Sequence, residues 1–264
     1  MDRHKIKRSS QVLAPSIFTM GNMACGFYSL MAVSIGDFRV GATCILGGII
    51  FDMLDGRVAR LVRGESSFGV EFDSLSDFLT FGVAPAYMMC DLLLKDYGPV
   101  GFITAFIYAL CGALRLARFN AVAHSGAGSK THFQGLPIPA AAGFLASFVL
   151  LYTLEEEGLS GQTLGWVMSQ IPRVAGLGLF LVLGLSFLMV SSIPYGAFKQ
   201  KEVFRPRNVK LLAGVGVTMT LLYFYPQNAV FLIFLFYVVS GLMGLLRRPK
   251  ETPPPVSPDI PGEP

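Results

Sequence analysis

Eight apolar runs constrain this chain more than any other feature, because most approach or exceed the roughly 20 residues that cross a bilayer as a helix. They cover about residues 13–35, 39–61, 74–94, 98–119, 137–154, 174–193, 209–224 and 228–246. Backbone groups in lipid must be satisfied within the segment, which makes each run a helix. With 53% hydrophobic and 14% charged residues and a mean hydropathy of +0.57, the chain falls well below the roughly 25% charge of a soluble domain. These observations predict an all-α, polytopic transmembrane bundle of about eight spans. They exclude a disordered chain, a disulfide scaffold and an ordinary soluble globule. One domain is expected over residues 1–250. Residues 251–264 hold six prolines in 14 positions and read as a disordered, extended tail.

Lysines and arginines orient the spans. With a cytoplasmic N-terminus, 18 of the 21 basic residues fall on the cytoplasmic side, in the segments around Arg3–Arg8, Arg57–Arg63, Arg115–Lys130, Lys199–Lys210 and Arg247–Lys250. Arg39, Lys95 and Arg173 remain for the other face, which also carries Glu155, Glu156 and Glu157. Both termini are therefore expected in the cytoplasm. The first run follows a basic segment, but it exceeds a signal-peptide core and reads as a retained anchor. Pro137 and Pro139 suit the start of the fifth helix rather than its interior. Cys25, Cys44, Cys90 and Cys111 lie in apolar runs without metal or redox spacing, and no HExxH pattern supports a zinc hydrolase.

Ionisable groups inside membrane spans are expensive and mark function. Asp52 and Asp55 are three residues apart, and Asp73 and Asp77 are four apart, so each pair shares a helix face. If the second and third helices form an antiparallel hairpin around residues 62–67, Asp55 falls opposite Asp73 and Asp52 opposite Asp77. All four carboxylates then converge at one depth near the cytoplasmic ends. Such a cluster stays ionised only with cations; otherwise some members are protonated, as in a transporter's proton relay. Hard oxygen donors select Mg²⁺, Mn²⁺ or Ca²⁺, and an aspartate lying between two ions can bridge them. The small residues Gly56, Ala59 and Gly69 let a substrate approach the helix backbone or let helices pack closely. The segment Gly126–Thr131 lacks the Gly-Lys-Ser/Thr ending of a phosphate loop and reads as a flexible cytoplasmic loop.

The pattern Asp52-x2-Asp55-Gly56-x2-Ala59-Arg60-x8-Gly69-x3-Asp73-x3-Asp77 resembles the CDP-alcohol phosphatidyltransferase signature at all eight fixed positions. The resemblance implies a membrane helical bundle, usually a homodimer, with two divalent metals, Mg²⁺ or Mn²⁺. It implies transfer of a phosphatidyl group from a CDP-linked lipid to an alcohol, releasing CMP. It assigns Asp52, Asp55 and Asp73 as metal ligands and Asp77 as ligand and general base.

Further blocks, Pro15–Asn22 with Cys25-Gly26, Phe78–Ala86, Leu114–Asn120 and Phe133–Pro139, resemble the serine-using branch of that family, the phosphatidylserine synthases. The acceptor implied is L-serine and the donor CDP-diacylglycerol, in phospholipid biosynthesis at the cytoplasmic side of the cytoplasmic membrane, with no nucleic acid. Thr19 and Asn22, with Gly56, Ala59, Arg60 and Gly69, are then candidates for the CDP-lipid. Arg115, Arg118, Lys130 and Gln134 are candidates for serine or phosphate. Arginine matches both anions bidentately, although Arg115 and Arg118 also fit plain topological anchoring. Rival readings are the same chemistry on glycerol phosphate, inositol phosphate or choline, and an ion-coupled transporter.

Overall fold

A computed structural model describes residues 3–62, 67–124, 135–156, 176–193, 195, 219–221 and 223–246. Every regular element among them is helical. Helix α1 (Arg3–Ser34) turns at Gly36, whose φ of 83° favours glycine. Asp37 then accepts a bond from the Val40 amide at 3.0 Å, which caps α2 (Phe38–Val62). α3 (Ser67–Asp77) runs on without a break through a π-helical turn at Phe78–Val83, α4 (Ala84–Met89), a second π turn at Cys90–Leu94 and a short 3₁₀ turn at Lys95–Tyr97. Gly98, at φ 56°, reverses the chain into α5 (Pro99–His124), with proline at its first position. α6 (Ile138–Glu156), α7 (Gly178–Val190) and α8 (Pro226–Leu246) follow among the described residues.

α1 packs along α2, α2 against α6, α5 against α7, and α8 against α6. α6 is the centre. Its Leu145, Phe148 and Leu151 are fully buried, and no polar stripe runs along it, as expected for a helix covered on all sides. The outer helices present Phe27, Tyr28, Phe102, Phe106 and Phe236 to the surroundings. In water that much exposed aromatic surface would aggregate; against lipid it is at home.

Among the described residues, five helices are long and apolar enough to cross a membrane: Ile17–Ser34, Phe68–Tyr97, Pro99–Val122, Ile138–Glu155 and Pro226–Met243. They correspond to the first, third, fourth, fifth and eighth expected spans. The second run forms α2 as expected, but Asp52, Asp55 and Arg57 interrupt its apolar character. The sixth is the shorter apolar helix Gly178–Val190, and most of the seventh lies outside the described residues, as do the loop 126–131 and the Pro-rich tail. The third helix begins at Ser67, well before the expected 74, because its first turns carry the polar residues that face the site. Both prolines of the fifth segment stand at the start of α6, as their chemistry requires. The four cysteines are free thiols.

Candidate active site

Three helices each contribute a stripe of polar or small residues at helical spacing. α1 carries Thr19, Asn22 and Gly26; α2 carries Gly48, Asp52 and Asp55; α3 and the π turn after it carry Asp73, Ser76, Asp77 and Thr80. The expected hairpin of α2 and α3 brings their aspartates together. Carboxylate oxygens of Asp52, Asp55 and Asp73 all lie within 4.8 Å of one another. Asp77 stands one turn deeper, within electrostatic reach of Asp52, Asp73 and Asp55.

α1 closes the cluster from the side. The Thr19 hydroxyl donates to Asp55 Oδ2 at 2.9 Å, and the Asn22 amide Nδ2 donates to Asp77 Oδ1 at 2.9 Å. In return the Ser76 hydroxyl donates to the Thr19 carbonyl at 3.0 Å, and Thr80 Oγ1 donates to the Asn22 carbonyl at 2.9 Å. All six of these side chains are buried, Asn22, Ser76 and Thr80 completely. Glycine makes the approach possible. A methyl at Gly48 would stand 2.6 Å from Thr80 Cγ2 and 2.9 Å from Asn22 Oδ1. The π turn begins at the residue after Asp77, and such turns recur at functional sites because they re-aim side chains within a helix.

The donor set fits a divalent metal. Three ionised carboxylates this close repel one another by roughly 3 kcal/mol per pair at an effective dielectric near 20. Three such pairs rival the whole folding margin of a domain, about 5–15 kcal/mol. Arg115 lies within electrostatic reach of Asp77, and a single guanidinium does not offset four carboxylates. Asp73 Oδ1 is buried with no hydrogen-bond partner, the condition a ligand oxygen meets before its ion arrives. Oxygen-only donors of this charge suit Mg²⁺, Mn²⁺ or Ca²⁺.

Thr19 and Asn22, expected from the sequence to offer hydrogen bonds to a nucleotide, donate to Asp55 and Asp77. Gly56 has open space where a Cβ would project, and Gly69 is half-buried on the first turn of α3. Ala59 and Arg60 belong to the last turns of α2, with side chains outside the described residues. Arg115 is half-buried within electrostatic reach of Asp77, and its Nε is buried with no hydrogen-bond partner. Arg118, one turn on, is exposed. Lys130 and Gln134 lie outside the described residues.

Ser76 and Thr80 are functional neighbours that the sequence reading passed over. Their spacing from Asp73 and Asp77 at one helical period was the available signal. A second polar clasp was also missed. Ser74 and Asn120 exchange hydrogen bonds at 3.0 and 3.2 Å, and Asn120 Nδ2 reaches Glu71 at 3.3 Å, tying α3 to α5.

Known proteins are similar to this chain over most of its length. A family model described as CDP-alcohol phosphatidyltransferase matches residues 12–171. A CDP-diacylglycerol–serine O-phosphatidyltransferase of Helicobacter pylori is 34% identical over 231 residues, covering 88% of this chain and 90% of the relative. A protein of the same name from Methanocaldococcus jannaschii is 35% identical over 230 residues, covering 87% and 92%. An archaetidylserine synthase of Methanothermobacter thermautotrophicus is 32% identical over 191 residues, covering 72% of each.

Proposed function

The chain belongs to the CDP-alcohol phosphatidyltransferase family, and on that premise we propose that it transfers the phosphatidyl group of CDP-diacylglycerol to the hydroxyl of L-serine. The products are phosphatidylserine and CMP. The observation that carries the acceptor is the likeness to serine-named relatives over most of the chain, well past the part that matches the family model.

Asp52, Asp55 and Asp73 would hold divalent metal, Mg²⁺ or Mn²⁺, and Asp77 would complete the donor set for two ions. When bound, such ions offset the diphosphate charge and stabilise the departing CMP phosphate. The chain's own groups supply the rest. Asp77 takes the proton of the serine hydroxyl as that oxygen bonds to the phosphorus bearing the diacylglycerol and the bond to CMP breaks. Its Oδ1 is occupied by Asn22, which leaves Oδ2 for the proton. Thr19 fixes the rotamer of Asp55. Gly56, Ala59 and Gly69 leave room for the CDP-lipid, and Arg60 serves its diphosphate. Arg115, rather than the exposed Arg118, receives the acceptor's carboxylate.

The functional unit is one domain over residues 1–250 with eight spans, both termini cytoplasmic, acting as a homodimer with its site at the inner face of the cytoplasmic membrane. Lipid tails then stay in the bilayer while the nucleotide faces water. Single-cysteine labelling from outside should modify residues 155–158 and spare 199–210; the reverse refutes this orientation.

The deciding experiment offers purified protein CDP-diacylglycerol with serine, glycerol phosphate, inositol phosphate or choline, and follows CMP and lipid product. CMP release is expected with serine, dependent on added Mg²⁺ or Mn²⁺ and indifferent to any membrane gradient. Phosphatidyl transfer to another alcohol in preference to serine refutes the acceptor, and a gradient requirement refutes the enzyme.

A further inference from the structure

Among the described residues, most hydroxyls of this bundle bond the helix that carries them. Thr43, Thr104, Ser147 and Ser186 each donate to a carbonyl three or four residues back, the usual resort of a hydroxyl inside a helix. Thr80 departs from that habit. It lies in the π turn that begins after Asp77, is completely buried, and donates across to the Asn22 carbonyl of α1 at 2.9 Å. Within α1 that carbonyl also faces the Gly26 amide, four residues on, so Thr80 takes its second lone pair. The carbonyl is satisfied inside α1 without Thr80, and helix formation alone does not call for the bond. Space for it is cleared on both sides. A Cβ at Gly26 would collide with Thr80 Oγ1 and stand 2.8 Å from Thr80 Cα, and a Cβ at Gly48 of α2 would stand 2.6 Å from Thr80 Cγ2. A side chain at 26 would take the place of the hydroxyl.

What the bond does follows from where it leads. The Asn22 side chain turns back to α3 and donates from Nδ2 to Asp77 Oδ1 at 2.9 Å. Asp77 and Thr80 are three residues apart on one continuous helical segment. That segment therefore holds Asn22 twice, by its side chain and by its backbone, in a closed ring. Ser76 makes no such ring, because it donates to the Thr19 carbonyl and Thr19 leads away to Asp55 on α2. The Asn22 amide has no other hydrogen bond to hold it, since its buried Oδ1 has no partner. With one bond at its tip, the amide stays on Asp77 only while its backbone is kept at that depth, and a reacting group is no better placed than the groups that support it.

We propose that Thr80 is a positioning residue for the transfer: its hydroxyl fixes the Asn22 backbone against α3, so that the Asn22 amide holds Asp77 in the orientation that meets the acceptor hydroxyl. This rests on the role given to Asp77 above. Thr80 lies three residues beyond the last aspartate of the signature, and its role is the same for any acceptor alcohol.

The test is steady-state CMP release by the full-length protein in CDP-diacylglycerol micelles. Thr80→Val keeps the branched shape and removes the hydroxyl. Thr80→Ala also removes the hydroxyl and relieves any crowding at Gly26 and Gly48. Both should lower kcat about tenfold, the loss of one buried hydrogen bond, with both substrate KM values within about twofold. Thr80→Ser restores the donor and should keep kcat within about threefold. Thr104→Val makes the same change at a buried threonine that bonds its own helix and should leave all three constants unchanged. In an Asn22→Ala background, Thr80→Val should cost less than about twofold more, because no amide is left to position. Wild-type kcat in both Thr80→Val and Thr80→Ala overturns the proposal. So does a Thr80→Ser loss equal to that of Thr80→Val, or a full tenfold loss in the Asn22→Ala background. If the wild type prefers another alcohol, the serine reading falls, and the same kcat pattern on that alcohol upholds this one. A wild type that releases CMP with none of the alcohols overturns both.

Discussion

α6 and the α1–α3 trio are both buried, but they are buried for opposite reasons. Along α6 the interior is filled by Leu145, Phe148 and Leu151, and its Ser147 and Thr153 hydroxyls donate to carbonyls of their own helix at 3.0 and 3.1 Å. Nothing there needs a partner of particular chemistry. In the trio polar side chains reach across to neighbouring helices: Thr19 to Asp55, Asn22 to Asp77, and Thr80 to the Asn22 carbonyl. The first region stores stability, and the second holds charge that destabilises the empty protein. Substitutions should therefore separate the two properties.

The largest separation is expected at the aspartates. Asp52→Asn, Asp55→Asn, Asp73→Asn and Asp77→Asn should each abolish CMP release, and EDTA should do the same to the wild type, reversibly. Thermal unfolding of the metal-free Asp55→Asn and Asp73→Asn variants should occur at or above the wild-type temperature, since each removes a like charge from the cluster, buried at Asp55 and half-buried at Asp73. Phe148→Ala should do the reverse, losing about 3 kcal/mol of stability through the cavity it leaves with both substrate KM values unchanged. Full turnover in three of the four Asn variants refutes the metal-dependent mechanism; a destabilised Asp55→Asn refutes the contrast.

Glycines in the two kinds of surroundings sharpen it next. Gly48→Ala pushes a methyl against Thr80 and Asn22, and overpacking of that kind costs about 1–3 kcal/mol. The strain falls on the Asn22–Asp77 bond, so kcat should drop by at least about tenfold. Gly56→Ala meets open space and should fold normally. If that space belongs to the CDP-lipid, its KM rises while the serine KM does not. Equal behaviour of the two alanine variants, measured by kcat and both KM values, breaks the distinction.

Much of this was legible in the sequence because periodicity survives folding. The paired aspartates fell on shared helix faces, the hairpin register matched them, and the prolines marked the start of α6. What escaped had weaker signatures. Ser76 and Thr80 look like ordinary hydroxyls that bond their own helix, as Ser186 does to Val182, and only the third dimension shows them reaching α1. Thr19 and Asn22 were recognised as polar at the right depth, but whether they face ligand or carboxylate depends on the rotation of α1 about its axis. The π turns were hidden because an inserted residue leaves local composition untouched. Arg115 and Arg118 were indistinguishable as charges, and helix rotation alone half-buries the first and exposes the second.

The smallest effect tests whether burial, rather than the mere presence of a cross-helix bond, sets functional weight. Asn22 and Asn120 are the same residue type, and each ties α3 to a neighbour. Asn22 is completely buried and donates to a carboxylate; Asn120 is half-buried and shares bonds with the Ser74 hydroxyl and an exposed Glu71. Removing Asn22 leaves a buried, charged acceptor without its donor, worth about 1.5–3 kcal/mol. Asn22→Ala should therefore lower kcat by about 10–100-fold at unchanged serine KM. Water can replace Asn120 where it is accessible, and its net bonds are worth about 0.5–1.5 kcal/mol. Asn120→Ala should lower kcat/KM by less than about tenfold. A loss at Asn120 as large as that at Asn22 means that the α3–α5 clasp also sets the reacting geometry, and that the active site extends around α3 to a second face.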